Sequence, residues 1–141
     1  GLPIVVMHNQ EGKAYERDII ETMKDFFRRT IAIADHAGVP RNNLILDPGI
    51  GFGKTPEGNL TVLRRQQELL TIDGVEYPLL LGTSRKSFIG AVLGLPVDER
   101  MEATGATCVV GIMKGAGIVR IHDVKPIARM CRMTDAILQA D

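Results

Sequence analysis

Four short runs of apolar residues recur along the chain, roughly every 35 to 40 residues. The first three runs are apolar throughout and do not alternate with polar residues. This pattern is typical of parallel strands that are covered on both faces. The runs predict strands at residues 4–7, 44–46, 79–81 and 118–121.

The segments between these runs carry apolar residues at three- and four-residue spacing, which predicts helices. In the first segment, Gly38 followed by Pro40 predicts where the helix ends. The predicted helices cover residues 15–37, the segment from Asn59 as N-cap through Leu70, the segment from Asp98 as N-cap to about Lys114, and the segment from Pro126 to Ile137. Strands that alternate with helices indicate an α/β fold with a parallel sheet and right-handed crossovers.

Four strand–helix units amount to half of an eight-fold (β/α)8 barrel. Alone, such a half exposes two parallel edge strands and one apolar face of the sheet. We therefore expect residues 1–141 to form half of a single barrel domain, with an open doubly wound sheet as the alternative. Because residues 1–3 lead at once into a core strand, the chain is expected to be a fragment or a trimmed piece of a longer protein.

Each apolar run ends in polar or glycine residues, and this repetition is informative. The endings are residues 8–9, 47–49, 82–84 and 122–123. In parallel α/β folds the carboxyl ends of the strands meet at one rim, where the loops carry the functional site. The sequence therefore predicts a site that gathers these four endings.

Composition narrows the classes of partner. The chain is 45% hydrophobic and 24% charged, and its 17 basic and 17 acidic residues give no net charge. This balance argues against nucleic acid or an anionic membrane as the main partner. Without a signal peptide or a membrane-length apolar run, the expected compartment is the cytoplasm. Cys108 and Cys131 are expected to be buried reduced thiols, and no metal-ligand spacing occurs.

The glycine-rich loop at residues 47–55 comes close to a phosphate-binding loop. It misses the pattern GxxxxGKT by one residue, because Pro48 stands where the first glycine belongs. Proline has no N–H, whereas the phosphate cradle is built from backbone N–H groups. We favour coincidence, and a nucleotide-binding module around Lys54 is kept as an alternative from another functional class.

A different chemistry fits the same loop better. Asp47 ends an apolar strand, where burial of a carboxylate without a partner is costly. It can accept two parallel N–H bonds from a guanidine-like edge, such as the 2-amino-pyrimidinone of a pterin. Gly51 lets the backbone approach a flat ligand, and Phe52 can press on its ring. The alternative is a helix-capping Asp47 beside a flexible loop.

The two later loops add cations and a hydroxyl. Lys86 offers a donor to a carbonyl or ring nitrogen, and Ser84 offers a hydroxyl to a carboxylate or amine. Arg120 and His122 lie two residues apart, so a strand would place both on one face, suited to a diphosphate. Alternatively, Ser84 or Ser87 caps a short helix and the cations are solvated.

Three of these segments resemble a known family. They read LILDPGIGFGK, GTSRKS and VRIHDV, and with the MetHis pair after the first run they resemble the second half of dihydropteroate synthases. The similarity covers essentially the whole chain, in order and with fitting spacing. It implies the last four units of a pterin-binding (β/α)8 barrel. It also implies a transferase that condenses 6-hydroxymethyl-7,8-dihydropterin diphosphate with para-aminobenzoate in folate biosynthesis.

The resemblance also implies roles for individual residues. Asp47 would hold the pterin edge, with Lys86 on its carbonyl and ring-nitrogen side. Phe52 and Ser84, with the stem of Lys86, would form the aminobenzoate pocket. Met7 would line the pterin pocket. Arg120 would lie against the pterin and reach phosphate, and His122 would bind the diphosphate. The predicted catalytic residues are Lys86, Arg120 and His122, and the predicted substrate-binding residues are these three with Met7, Asp47, Gly51, Phe52 and Ser84.

Further expectations concern cofactor, assembly and activity. The resemblance implies Mg2+, with its ligand in the half of the barrel that this chain lacks, so the fragment alone is expected to be inactive or severely impaired. A homodimer through late helices is expected, and glycines near the fourth helix indicate either this interface or tight packing within the chain. These glycines are Gly105, Gly111, Gly115 and Gly117. A methyltetrahydrofolate methyltransferase of the same superfamily is the nearest alternative.

Overall fold

The structure is a computed structural model that describes residues 1–141, and it contains four parallel strands and one antiparallel hairpin. The strands are β1 (Ile4–Met7), β2 (Leu44–Asp47), β3 (Thr71–Ile72), β4 (Val75–Glu76), β5 (Leu80–Leu81) and β6 (Ile118–Val119). Strand β1 pairs with β2 and β5 pairs with β6, both in parallel. A parallel bridge between Leu46 and Leu79 joins the pairs in the order β1, β2, β5, β6. The predicted parallel arrangement is confirmed.

Five helices follow or separate these strands. They are α1 (Ile19–His36), α2 (Pro56–Arg64), α3 (Ser87–Leu93), α4 (Met101–Met113) and α5 (Val124–Leu138). Helix α1 begins after Asp18, whose carboxylate accepts the backbone N–H groups of the first turn. Its predicted apolar face is buried, with Met23 and Phe27 fully enclosed against the sheet. This packing explains why a helix forms with the period seen in the sequence.

The predicted cap of the second helix is wrong. Helix α2 begins at Pro56, and the Thr55 hydroxyl accepts a backbone N–H of its first turn. Proline suits the first turn because its missing N–H would have no helical partner there. Asn59 lies inside the helix, and Leu70 lies beyond its end at Arg64.

The predicted cap of the fourth helix is wrong as well. Asp98 lies in a 3-10 turn over residues 97–99, and α4 begins at Met101. The guanidinium of Arg100 donates to the carbonyl of Leu95 at 2.9 and 3.1 Å. This contact folds the connection back and delays the start of the helix.

The β3–β4 hairpin was not among the predicted elements. Its turn is Asp73–Gly74, and both residues have positive φ, at 49° and 80°. An Asp-Gly pair is a common two-residue hairpin turn because it tolerates this backbone. The flanking strands have only two residues each, so they lack the apolar run that would have revealed them.

Two glycines of α4 pack closely within the chain. A Cβ on Gly105 would overlap the sulfur of Met130 in α5, and a Cβ on Gly111 would overlap the side chain of Leu81 in β5. Tight packing within the chain therefore explains these two glycines. Gly117, by contrast, has open space around it.

The edges of the sheet remain partly uncovered. Ile4 and Val5 on β1 are 42% and 46% exposed, and Ile118 on β6 is 39% exposed. The inner strand β2, in contrast, buries Leu44 and Leu46 completely or nearly so. Apolar edge strands of this kind agree with the expected half barrel.

Candidate active site

A cavity of about 480 Å³ opens at the carboxyl ends of the four parallel strands. Each strand contributes to its wall through its last residue or the loop that follows. The lining residues are Met7, Asp47, Phe52, Gly82, Ser84, Lys86, Arg120, Ile121 and His122. The structure thus brings together residues separated by more than a hundred positions, as the strand endings predicted.

Asp47 lies deep in this cavity. It is 9% exposed, it stands opposite Met7 in the sheet, and burial raises the pKa of its carboxyl. The Gly49 N–H donates to Oδ1 at 2.7 Å, and Oδ2 accepts no hydrogen bond within the chain. Lys86, Lys54 and Arg120 oppose the effect of burial on the pKa. A ligand with adjacent N–H donors would therefore meet a carboxylate with a free acceptor.

Lys86 is positioned by its contacts with the glycine loop at residues 47–55. Its Nζ donates to the Ile50 carbonyl and lies 4.9 Å from the centroid of the Phe52 ring. Burial lowers the pKa of this lysine, and Asp47 acts against that effect. Cation and ring together form one wall suited to a flat, electron-rich ligand.

Gly51 is the one predicted binding residue that does not line the cavity. A Cβ at this position would lie 3.1 Å from Cδ of Lys86, and its φ of +87° favours glycine. Gly51 therefore makes room for the lysine stem, and its predicted contact with a flat ligand stays a prediction.

Ser84 makes two hydrogen bonds to His122. The Ser84 Oγ accepts the backbone N–H of His122 at 3.0 Å and lies 2.7 Å from its Nδ1. With a neutral imidazole the hydroxyl donates to Nδ1, which leaves the ring proton on Nε2. Neither Ser84 nor Ser87 caps α3 through its side chain, because the helix follows Lys86 without such a cap. The alternative interpretation of these serines as caps is wrong.

An ion pair that sequence reasoning missed joins the two later loops. Arg85 donates to both carboxylate oxygens of Asp123, from Nη2 at 2.8 Å and from Nε at 3.2 Å. The hydrogen bond from Arg85 lowers the pKa of Asp123. Arg85 precedes Lys86 and Asp123 follows His122, so the pair joins the two loops that carry these cavity residues. Their place in the strand-end loops was the only signal that could have revealed them.

Lys54 is not a phosphate ligand in this fold. It is 3% exposed, and its Nζ donates to the carbonyls of Gly49 and Phe52 and contacts Nδ1 of His8. An ammonium with three partners has no N–H left for a nucleotide. The nucleotide-binding alternative is therefore contradicted by the structure.

The chain offers no group of three or more His, Cys, Asp or Glu side chains that could hold a metal ion. The cysteines form no disulfide, with Cys108 buried and Cys131 half-buried. None of the helices has the length and apolar character needed to cross a membrane.

Curated relatives of this chain are dihydropteroate synthases. The enzyme of Bacillus subtilis is 52% identical over 137 residues, which cover 97% of this chain and 47% of the relative. The Escherichia coli K12 enzyme is 37% identical over 147 residues, covering 99% of this chain and 51% of the relative. The chain spans about half the length of the curated relatives it matches.

Solved structures give the same picture. A Clostridium difficile dihydropteroate synthase in the presence of pteroic acid superposes with a TM-score of 0.93 at 49% identity. The match covers 98% of this chain and 51% of that one. The Yersinia pestis dihydropteroate synthase gives a TM-score of 0.92 at 37% identity, over 99% and 56% of the two chains. The predicted fold, part of a (β/α)8 barrel, is confirmed.

A family model gives an independent assignment. The model described as pterin binding enzyme matches residues 1–122, which include every residue of the cavity. The sequence resemblance to dihydropteroate synthases is thereby confirmed. The chain belongs to the family of pterin binding enzymes.

Proposed function

We propose that this chain forms the pterin and diphosphate site of a dihydropteroate synthase. The reaction joins 6-hydroxymethyl-7,8-dihydropterin diphosphate to para-aminobenzoate and yields 7,8-dihydropteroate and diphosphate. One observation carries the proposal: Asp47, Lys86, Arg120 and His122 line the same cavity although they are far apart in sequence. Together they offer an acceptor for a pterin edge and cations for a diphosphate.

Asp47 and Lys86 account for pterin recognition. The free Oδ2 of Asp47 accepts N–H groups from the 2-amino-pyrimidinone edge, as a carboxylate accepts a guanidinium. The Lys86 ammonium, beside Asp47 in the cavity, donates to the carbonyl and ring-nitrogen side. Met7, which faces Asp47 across the β1–β2 pair, supplies an apolar contact for the ring.

The cavity gathers groups that stabilise charge, which suits a dissociative reaction. The bond between the methylene carbon and the diphosphate oxygen breaks, and its electron pair leaves with the diphosphate. Arg120 and His122 stabilise the charge that accumulates on that oxygen. The cation on the pterin is delocalised and lies near the Asp47 carboxylate. The arylamine nitrogen then bonds to the methylene carbon and loses its proton to water.

The second substrate is assigned to the wall made by Phe52, Ser84 and the Lys86 stem. The Phe52 ring is 41% exposed and faces the Lys86 ammonium, so an aromatic acid can stack beside it. Ser84 adds a hydroxyl at the cavity wall. This arrangement would hold para-aminobenzoate with its amine toward the pterin methylene.

Cofactor, assembly and compartment complete the proposal. Mg2+ would be held by residues outside this chain, since the chain has no cluster of metal ligands of its own. The protein would act in the cytoplasm as a homodimer through its late helices. Exposed apolar side chains on α4 and α5 support that surface, namely Val110, Met113, Met133 and Ile137.

A calorimetric titration separates this function from its alternative. The chain is titrated with 6-hydroxymethyl-7,8-dihydropterin and with its diphosphate ester. A synthase binds the diphosphate ester more tightly, and Arg120→Met removes that gain while binding of the alcohol is kept. Arg129→Met, an exposed arginine on α5, is the matched control and should leave both affinities unchanged.

The methyltransferase alternative makes the opposite prediction. A site for methyltetrahydrofolate has no diphosphate to bind, so the two ligands would bind equally and Arg120→Met would not discriminate between them. Arg120 and His122 lie on the cavity wall and offer N–H donors to a diphosphate, which favours the synthase. Equal binding of both ligands would contradict the proposed function.

A further inference from the structure

A buried lysine lies at the centre of the loop that follows β2. Lys54 is 3% exposed, and its Nζ lies 2.9 Å from the Gly49 carbonyl oxygen and 3.0 Å from the Phe52 carbonyl oxygen. The third contact is with Nδ1 of His8, at 2.9 Å. An ammonium has three N–H donors, so all of them are used inside the protein. Lys54 is absent from the wall of the cavity and is therefore free of any direct contact with a ligand there.

The loop turns around this ammonium. Gly49, Gly51 and Gly53 all have positive φ, at 66°, 87° and 57°. This backbone is accessible to glycine and strained for other residues. The carbonyls of Gly49 and Phe52 both point at the same Nζ, which holds the two ends of the turn together. Two other side chains also contact this backbone: Asn59 Oδ1 accepts the Gly51 N–H and the Tyr15 hydroxyl donates to the Gly53 carbonyl, each at 2.8 Å. Each of them makes one such bond, whereas Lys54 Nζ joins two carbonyls of the loop.

His8 is the acceptor that completes this arrangement. It is 1% exposed and packs edge-on against Phe26 of α1, with ring centroids 5.1 Å apart. Because Nδ1 accepts from Lys54, the ring must be neutral at that nitrogen. The backbone N–H of His8 also donates to the Asp47 carbonyl at 2.9 Å. The end of β1 thus fixes the loop after β2 through one side chain and one backbone bond.

The loop that surrounds the Lys54 ammonium contacts the cavity residues Asp47 and Lys86 through three groups. The Gly49 N–H donates to the Asp47 carboxylate, the Ile50 carbonyl accepts from Lys86, and the Phe52 ring lies beside the Lys86 ammonium. Both recognition residues, the acid and the lysine, are therefore oriented by backbone that surrounds the buried ammonium.

We propose that Lys54 is a positioning residue whose buried ammonium, accepted by His8, shapes the loop after β2 and thereby orients Asp47 and Lys86 for the ligand. The GlyLysThr sequence at positions 53–55, which mimics a phosphate loop, thus has an internal structural role. The part of this inference that concerns ligand binding rests on the proposed function. The part that concerns the shape of the loop rests only on the contacts of Lys54 within the chain.

Hydrogen exchange and a calorimetric titration test the proposal on the 141-residue chain. In Lys54→Met, the amides of Gly51 and Phe52 should exchange at least tenfold faster than in the native chain, and the amides of α5 should be unchanged. The affinity for 6-hydroxymethyl-7,8-dihydropterin diphosphate should fall at least tenfold. Lys13→Met, an exposed lysine in the loop after β1, is the matched control and should match the native chain in both measurements.

A pair of substitutions at His8 separates positioning from general stability. His8→Asn keeps an acceptor near the place of Nδ1, whereas His8→Leu removes it and keeps an apolar side chain. His8→Asn should retain slow amide exchange at residues 51–52 and most of the affinity for the pterin diphosphate. The leucine variant should resemble Lys54→Met. This pair decides the question if Lys54→Met does not fold.

The outcomes that overturn the inference are specific. A folded Lys54→Met with native loop exchange and native affinity would do so, as would His8→Asn and His8→Leu that behave alike. If the native chain binds no pterin diphosphate, the proposed function fails. In that case the exchange rates of the loop amides still decide the role of Lys54.

Discussion

Asp47 illustrates how a single residue can favour binding at the expense of stability. Its carboxyl is nearly enclosed, and burial raises its pKa. A buried charge with few partners costs free energy of folding. The same burial strengthens its hydrogen bonds to a ligand, because the local dielectric is low. The burial of Asp47 is therefore more readily explained by ligand binding than by stability.

Asp47→Asn should separate these two effects. Without the charge, the affinity for 6-hydroxymethyl-7,8-dihydropterin diphosphate should fall roughly a hundredfold, corresponding to about 3 kcal/mol for hydrogen bonds to a charged group. The free energy of unfolding should stay the same or rise. Calorimetric titration and chemical denaturation measure the two quantities. Native affinity in the variant would remove Asp47 from the site.

His8 gives the structure a pH dependence with a defined sign. Burial, with the nearby charges of Lys54 and Arg29, lowers the pKa of His8 from 6.5 to about 4. The unfolded chain therefore takes up this proton near pH 6.5, and the folded chain does so only near pH 4. Stability from the neutral ring is complete above this window and is lost as the pH falls through it.

Denaturation curves between pH 7 and pH 4 test that sign. Relative to His8→Asn, the native chain should lose additional unfolding free energy on the order of 3 kcal/mol across the window. Asp47 has a raised pKa and acts in the opposite direction, but it is present in both proteins and cancels in the difference. Parallel curves for the two proteins would show that His8 does not titrate as described.

At the scale of elements, the loop after β2 depends on where glycine stands. A Cβ on Gly49 would overlap the carbonyl oxygen of His8, and its φ is +66°. Gly74 in the hairpin turn has a similar φ of +80° but open space around it. A side chain at either position would adopt a strained positive φ, but only at Gly49 would it also overlap backbone atoms.

This contrast predicts a difference between two alanine variants. Gly74→Ala should cost about 1–2 kcal/mol of unfolding free energy, the usual penalty of a left-handed backbone. Gly49→Ala should cost clearly more, because backbone atoms must also move apart at the edge of the cavity. Chemical denaturation of both variants measures this. Equal losses would show that the β1–β2 junction is looser than described.

Long elements could be predicted from sequence, and short ones could not. Helix α1 was predicted because an apolar stripe over many residues outweighs local ambiguity. The start of α2 was misplaced because Thr55 caps as well as Asn59 could, and Pro56 favours the earlier start. The β3–β4 hairpin was missed because strands of two residues are too short to show a pattern of apolar and polar positions.

The site was predictable for a related reason. Asp47, Lys86, Arg120 and His122 stand at strand ends, and topology alone brings strand ends to one rim. Lys54 and His8 were harder, because their contact depends on how a glycine loop folds back. Sequence spacing carries no information about that path.

The whole molecule has the form of an incomplete barrel. Its outer strands expose apolar residues, and its length is about half that of its relatives. The chain also lacks a cluster of metal ligands. We therefore expect no measurable formation of 7,8-dihydropteroate by the purified 141-residue chain with both substrates and Mg2+. Measurable turnover by the purified chain would contradict this expectation.

The central claim is that four strand ends form one pterin diphosphate site. An amide chemical-shift map, recorded while the 141-residue chain is titrated with 6-hydroxymethyl-7,8-dihydropterin diphosphate, tests it most directly. Signals from residues 7–8, 47–52, 82–86 and 120–122 should shift together, with one shared dissociation constant. Shifts confined to one of these loops, or located on the outer faces of the helices, would contradict the account.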